Sequence, residues 1–273
     1  MNNIPCTLTI AGTDPSGGAG VQADLKTFQE FRTYGMSVIT SVVAQNTTGV
    51  QDVHHVPVNM LEKQLDSVFS DIPPHALKTG MISDKERMDV IRDRLKKRSC
   101  HYVMDPVMVT TSGHPLIEEQ AISYLIEELL PLTDLVTPNI PEAEKMIGRK
   151  ITDHEDMKQA AMELVTTFGA GAVLMKGGHM EGQAVDYLYD GDSMYVFTAP
   201  RINTSNTHGT GCTYSAAITS LLAKGVALPE AVESAKKYVT AAIRESFSLG
   251  HGNGPTNHWA TREGVRAHEI NHR

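Results

Sequence analysis

Short runs of β-branched and apolar residues alternate along the chain with longer stretches whose apolar positions recur every three or four residues. The first pattern marks buried strands and the second amphipathic helices. Residues 7–11 read as a strand, followed by a glycine-rich turn and a helix over 20–31. Residues 36–44, rich in Val, Ile, Thr and Ser, read as a second strand, and 61–69 as a helix. Residues 76–79 begin a strand-then-turn unit with a helix over 85–97, and 102–104 form a strand ending on Asp105-Pro106. Helices are predicted over 121–130, 142–147 and 157–168, with short strands over 134–137 and 172–175.

The rhythm then changes. Residues 184–189 and 194–198 flank Asp190-Gly191-Asp192-Ser193, a hairpin signal. Helices over 213–223 and 229–246 close the pattern. Alternating strand and helix predicts an α/β fold: a mostly parallel central sheet with helices on both faces and the late hairpin as an antiparallel edge. Ligands of such sheets sit beyond the carboxyl ends of the strands. That rule puts Asp14, Gln45, Gly80, Asp105, Asn139 and Lys176 on one rim.

With 273 residues, the chain is expected to form a single domain over 1–273, with a polar tail from about 260. A formal net charge of -8 argues against a nucleic-acid partner. No apolar run is long enough to span a bilayer, and the first residues do not read as a secretory signal. Cys6, Cys100 and Cys212 show no paired spacing, which fits a cytoplasmic protein.

The stretch Asn206-Thr207-His208-Gly209-Thr210-Gly211-Cys212-Thr213 carries the sharpest chemistry. Its glycines sit where a loop gives way to an alanine-rich helix, and a helix start offers unpaired N–H groups to phosphate oxygens. At such a start the Cys212 thiol is expected to be more acidic than usual; the plainer alternative is a small half-buried apolar residue. The loop Ala11-Gly12-Thr13-Asp14-Pro15-Ser16-Gly17-Gly18-Ala19-Gly20 lacks GxGxxG spacing, and Gln45-Asn46 stands where a dinucleotide fold needs a carboxylate, so a dehydrogenase is rejected. Asp24, read in the first turn of the following helix, has a dipole-complementing role as its plain alternative. Asn139 and Glu142 suit either a helix cap or a site for hydrated Mg²⁺. Lys176, before Gly177-Gly178-His179, suits phosphate or a solvated turn. No Walker sequence GxxxxGK(S/T) occurs. Adjacent His54 and His55 would face opposite ways on a strand. His251, His258, His268 and His272 read as surface residues, and HExxH is absent.

Together with Val43-Ala44-Gln45-Asn46-Thr47, Lys78-Thr79-Gly80-Met81, Met104-Asp105-Pro106-Val107-Met108 and Thr137-Pro138-Asn139, these motifs occur in an order that resembles the hydroxymethylpyrimidine and phosphomethylpyrimidine kinases of thiamine biosynthesis. The resemblance covers about residues 7–259. It implies a ribokinase-like fold and an ATP- and Mg²⁺-dependent kinase. The implied substrate is 4-amino-5-hydroxymethyl-2-methylpyrimidine and then its monophosphate. By the same carry-over Gln45 binds the aminopyrimidine edge, Asp24 lies close by, and Gly12, Met81 and Val107 form walls. Asp105 and Glu142 serve Mg²⁺ and phosphate. Asn139, Lys176 and Thr207 approach the nucleotide, and Gly209, Thr210, Gly211 and Cys212 form the anion hole. Dimers are common in the wider superfamily, so a homodimer is expected.

One departure stands out. Most of the superfamily has Asp at the position of Cys212, acting as base. Positioning and electrostatics dominate loose phosphoryl transfer, so the anion hole is expected to outrank the thiol. Some relatives with the same cysteine loop phosphorylate vitamin B6, but they tend to show Met-Asp where this chain has Gln45-Asn46. A pyridoxine or pyridoxal kinase is therefore the alternative, and a non-catalytic pyrimidine or nucleotide sensor a third reading.

Overall fold

The computed structural model describes residues 4–109, 113, 116–178, 180 and 182–262. His179, His268, His272 and most of the expected polar tail lie outside the described residues.

Strands β1 (Cys6–Ala11), β2 (Tyr34–Ile39), β5 (Ala76–Thr79), β6 (His101–Met104), β7 (Leu135–Val136) and β8 (Val173–Lys176) run parallel in one sheet. Strands β9 (Ala184–Tyr189) and β10 (Met194–Ala199) extend it antiparallel, as the hairpin signal predicts. The sheet order is β10-β9-β8-β7-β6-β5-β1-β2. The chain leaves β1 towards β2 and later returns to β5 on the other side of β1, which makes the β1/β5 boundary a switch point.

Alternation along the strands supplies both cores. Tyr102 and Met104 face one apolar cluster and Val103 the other; Val173 and Met175 oppose Leu174 in the same way. Helices α1 (Gly20–Glu30), α7 (Thr210–Ala223) and α8 (Leu228–Arg244) pack together on one side. Helices α2 (Val58–Asp71), α3 (Lys85–Leu95), α4 (Glu119–Tyr124), α5 (Ile140–Ile147) and α6 (His154–Thr166) supply the other. Asp84 and Asp153 cap α3 and α6 by accepting the N–H groups of Arg87 and Asp156.

Two expected elements need correction. The helix expected over 121–130 is broken into α4, a π turn over Leu125–Leu129 and a 3₁₀ turn over Leu130–Leu132. The strand expected over 36–44 is two strands. β2 ends at Ile39, whose N–H and C=O are bound by the Gln64 amide of α2 at 2.9 and 3.1 Å. That side chain occupies the place of a further strand. Beyond Thr40 the chain turns into β3 (Ser41–Asn46), which leaves the main sheet and pairs only with β4 (Gly49–His55), a strand the hydrophobic pattern does not show.

His258 is not a surface residue. It is 3% exposed, its Nε2 lies 3.2 Å from Thr213 Oγ1, and its carbonyl accepts the Tyr238 hydroxyl at 2.6 Å. Burial, helped by the Lys26 charge, pushes the imidazole down to about 4. An unfolded histidine takes up its proton near 6.5, so the unfolded state gains protons first as pH falls. Stability from this residue is complete above pH 6.5 and is lost on the way to pH 4, by about 3 kcal/mol. Denaturant titrations across that window should show a shallower loss for His258→Gln than for the unsubstituted protein; parallel curves would contradict the buried neutral imidazole.

Candidate active site

The carboxyl ends of β1, β5, β6, β7 and β8 meet the start of α7 at a cleft of about 540 Å³. The fourteen residues to which the resemblance gives site roles all line it, whereas Asp14, which the strand-end rule puts on the rim, is buried beneath the first glycine loop and does not. Gly12, Asp24, Gln45, Met81 and Val107 lie on its lining, as do Asp105, Asn139, Glu142, Lys176 and Thr207, and residues 209–212.

The entry to α7 depends on backbone contact. Gly209 has φ +80, and a Cβ there would lie 1.7 Å from the Gly18 carbonyl oxygen. The two glycine loops are thus pressed together where no side chain fits. Thr210 N–H donates to the Thr207 carbonyl at 3.2 Å and Thr213 N–H to Gly209 at 2.9 Å. Gly211 and Cys212, between them, find no backbone acceptor among the described residues. Their N–H groups are the unpaired donors of a helix start. A Cβ on Gly211 would stand 3.4 Å from Lys176 Nζ and 3.6 Å from Asp105 Oδ2, so this turn lies directly on the charged floor.

That floor is built at the strand ends. Lys176 Nζ reaches Asp105 Oδ1 at 3.2 Å, and Ser215 Oγ donates to Asp105 Oδ2 at 3.2 Å. Burial opposes ionisation of Asp105, but Lys176 and Lys78 outweigh it and hold its carboxyl below the usual range. Glu142 and Asn139 form the capping box of α5: Glu142 N–H donates to Asn139 Oδ1 at 2.9 Å and Asn139 N–H to Glu142 Oε2 at 2.8 Å. The capping role, one of two open alternatives, is therefore real. Burial and then the neighbouring Asp105 charge push Glu142 up to about 7, against the pull of Lys176. With Lys78 already paired to Asp24, Asp105 and Glu142 share Lys176, and Glu142, pushed up towards 7, is the carboxyl whose charge that lysine leaves least compensated. A hydrated divalent cation that needs only one or two carboxylates suits this donor set.

The other end of the cleft is shaped by β3 and the first glycine loop. Gln45 shares the inward face of β3 with Val43 and Ser41, two and four residues away. The strand is docked by Thr13, whose N–H donates to Ser41 O at 2.9 Å and whose Oγ1 accepts Val43 N–H at 3.0 Å. Gln45 therefore reaches the rim from the two-stranded hairpin, not from a strand end of the main sheet.

Asp24 differs from its dipole-complementing alternative. Helix α1 has no acidic residue in its first turn, and Asp24 points inward with no exposure. Its Oδ1 accepts Lys78 Nζ at 2.7 Å and its Oδ2 accepts Thr9 Oγ1 at 2.6 Å. Burial disfavours the Lys78 ammonium, but Asp24 outweighs that and raises it to about 12. Lys78 belongs to a motif of the resemblance without a role assigned to it; its place in β5 at the centre of the sheet buries it under the cleft. A second unassigned pair, Lys236 of α8 with Asp186 of β9 at 2.6 Å, lies along the same cleft.

The Cys212 thiol contradicts the expected acidity. Burial pushes it up to about 12, and the nearby Lys78 charge and Gly20 N–H do not compensate. Alkylation of Cys212 by iodoacetamide, followed by peptide mass spectrometry, is therefore expected to keep accelerating about tenfold per pH unit through pH 10. A rate that levels off below pH 9 would show an activated thiolate instead.

Comparisons with known proteins agree with this layout. A family profile described as phosphomethylpyrimidine kinase matches residues 14–257. The chain is 48% identical over 256 residues to the hydroxymethylpyrimidine/phosphomethylpyrimidine kinase of Staphylococcus aureus (strain MSSA476), with 93% of each covered. It is 51% identical over 261 residues to the thiamine biosynthesis bifunctional protein ThiED of Geobacter sulfurreducens. That match takes in 95% of this chain but 53% of the relative, so the chain spans about half of that longer protein. The solved structure of the pyridoxal kinase from Staphylococcus aureus in complex with AMP-PCP is similar at a TM-score of 0.88 and 38% identity, covering 96% of both chains. The sheet order, the edge hairpin and these neighbours together give the ribokinase-like fold. With the matched profile taking in most of the first glycine loop, the charged floor and the start of α7, the chain belongs to the phosphomethylpyrimidine kinase family.

Proposed function

We propose that the protein transfers the terminal phosphoryl group of ATP to the hydroxymethyl group of 4-amino-5-hydroxymethyl-2-methylpyrimidine. A second transfer to the monophosphate then yields the diphosphate used for thiamine. One observation carries this reading. A single cleft joins a side-chain amide, Gln45, to the unpaired N–H groups of Gly211 and Cys212 and the Lys176 ammonium. An amide offers both a donor and an acceptor to a ring nitrogen beside an exocyclic amine. Relatives named for the same two kinase activities, and the neighbour's complex with an ATP analogue, support the choice of substrates.

In this reading Gly12, Met81 and Val107 enclose the pyrimidine. Asp24, tied to Lys78 and Thr9, shapes the pocket floor and leaves base recognition to Gln45. Residues 209–212 hold the migrating phosphoryl oxygens. Lys176, Asn139 and Thr207 face the nucleotide. Asp105 and Glu142 would hold Mg²⁺, which when bound supplies positive charge to the phosphates. Positioning and fixed dipoles are the main catalytic contributions, because little covalent chemistry falls to the protein in phosphoryl transfer. A thiol held near 12 is a poor base at neutral pH, and Cys212 serves chiefly through its backbone N–H. The same reading has the protein working as a cytoplasmic homodimer on a small-molecule pyrimidine, with neither nucleic acid nor membrane as partner. Cys6, Cys100 and Cys212 are free thiols, and no helix among the described residues is long and apolar enough to cross a membrane.

A coupled ADP assay with hydroxymethylpyrimidine, its monophosphate and pyridoxal side by side tests the assignment. Turnover is expected to be fastest with the pyrimidines. Gln45→Met is expected to lower kcat/KM for hydroxymethylpyrimidine by about 10- to 100-fold, the cost of one unpaired buried polar group, with the KM for ATP little changed. Unaltered pyrimidine kinetics in that variant, or a preference for pyridoxal in the parent, would overturn the substrate choice.

The roles around α7 separate by a second comparison. Gly211→Val places methyl groups against Lys176 and Asp105 and is expected to cost ~10³-fold or more in kcat, on the scale of a lost oxyanion donor. Cys212→Ser keeps the backbone and is expected to lose less than ~10²-fold, below the range typical of a general base. A serine variant more damaged than the valine variant would reverse the ranking.

A further inference from the structure

The glycine-rich segment near the end of the described chain is bound at one end to the hairpin that carries Gln45 and at the other to the loop that leads into α7. On one side it meets Thr47, the turn residue that immediately follows Gln45 and Asn46 on the hairpin. Thr47 Oγ1 accepts the N–H groups of His251 and Gly252 at 3.1 Å each, and the Thr47 carbonyl accepts Asn253 N–H at 3.1 Å. On the other side the segment meets the loop that leads into α7. Gly254 N–H donates to Asn206 Oδ1 at 3.2 Å, His208 N–H to Gly254 O at 3.1 Å, and Thr256 N–H to His208 O at 3.3 Å.

The spacing of its glycines follows from these contacts. A Cβ on Gly252 would fall 1.9 Å from the Thr47 carbonyl oxygen, and one on Gly254 would meet the Phe247 carbonyl oxygen first and then Asn206 Oδ1 at 2.5 Å. The hairpin needs such an anchor. It belongs to a two-stranded sheet separate from the main one, and a lone hairpin is marginally stable in water. Its base is held by Thr13, but its tip, where Gln45 projects, is held from residues 251–253 through Thr47.

We infer that Thr47 is a positioning residue for the pyrimidine subsite: through residues 250–256 it holds Gln45 in register with the anion hole. It touches neither substrate nor nucleotide, and it acts through the hairpin. The inference rests on the proposed role of Gln45, and the two are separable by experiment.

Thr47→Val keeps the β-branched shape and removes the acceptor, whereas Thr47→Ser keeps the acceptor and removes a methyl group. Steady-state kinetics with hydroxymethylpyrimidine are expected to show the KM for the pyrimidine raised about fivefold or more in Thr47→Val, the scale of one or two lost hydrogen bonds. The KM for ATP and kcat stay within about twofold, and Thr47→Ser returns the pyrimidine KM to its original value. Amide hydrogen exchange, read without substrate, is expected to be faster over residues 43–53 in Thr47→Val and not in Thr47→Ser. Equal pyrimidine KM in Thr47→Val and the parent, or unchanged exchange over the hairpin, overturns the positioning role. So does a rise in both KM values together. A Gln45→Met variant with normal pyrimidine kinetics removes the proposed role of Gln45, while the exchange comparison still decides whether Thr47 anchors the hairpin.

Discussion

The carboxylate of Asp14 is the knot on which the cleft depends. It has no exposure to water and accepts hydrogen bonds from the N–H groups of Ser16, Gly18 and Ala19, from Ser16 Oγ, and from Nε2 of His208. Burial alone would favour its neutral form, but the bonds from His208 and Ser16 outweigh that and keep the carboxyl well below its usual range. A buried charge satisfied this completely is costly to disturb, because losing one partner leaves the rest uncompensated. One group therefore closes the first glycine loop on itself and clips it to the residue preceding Gly209. The close approach of Gly209 to Gly18 follows, and with it the direction in which α7 presents its unpaired N–H groups.

Charge along the cleft floor obeys a similar economy. Lys78 with Asp24, Lys176 with Asp105 and Lys236 with Asp186 each pair an ammonium, buried at Lys78 and Lys236 and part-buried at Lys176, with a buried carboxylate, at 2.7, 3.2 and 2.6 Å. Buried ion pairs contribute little net stability, since desolvation offsets much of the attraction. Their consequence here is a set of fixed dipoles already in place before any ligand arrives, which is the form of electrostatic assistance that suits phosphoryl transfer. Glu142 is the exception. It has a carboxylate neighbour, sits near neutrality in its titration, and marks the part of the floor with negative charge to spare.

Much of this was legible in the residues. Alternation revealed the strands that became β1, β5, β6 and β8, and Asp190-Gly191 with Asp192-Ser193 marked the β9–β10 turn, where the Asp190 carboxylate accepts the N–H groups of Asp192 and Ser193. These are local signals, set by side-chain period and turn chemistry. The glycines around 209 were equally readable, because a helix start with no side chain in the way has few other uses. The break at Thr40 was not, because a run of Val, Ile, Ser and Thr continues across it and the reason for the break is Gln64, far along the chain.

The same division holds for the ionisable groups. Sequence alone determined that Asp105, Asn139 and Lys176 stand near strand ends and that α7 begins at the second glycine turn, since both follow from where each element begins and ends. Tertiary structure alone decided their chemical state. Lys78 is an ion-paired core residue because Asp24 and Thr9 meet it from other elements. His258 is neutral because α7 and α8 bury it. Cys212 is a weak acid because desolvation outweighs the helix start. Burial sums contributions from segments distant in the chain, and no local pattern records that sum.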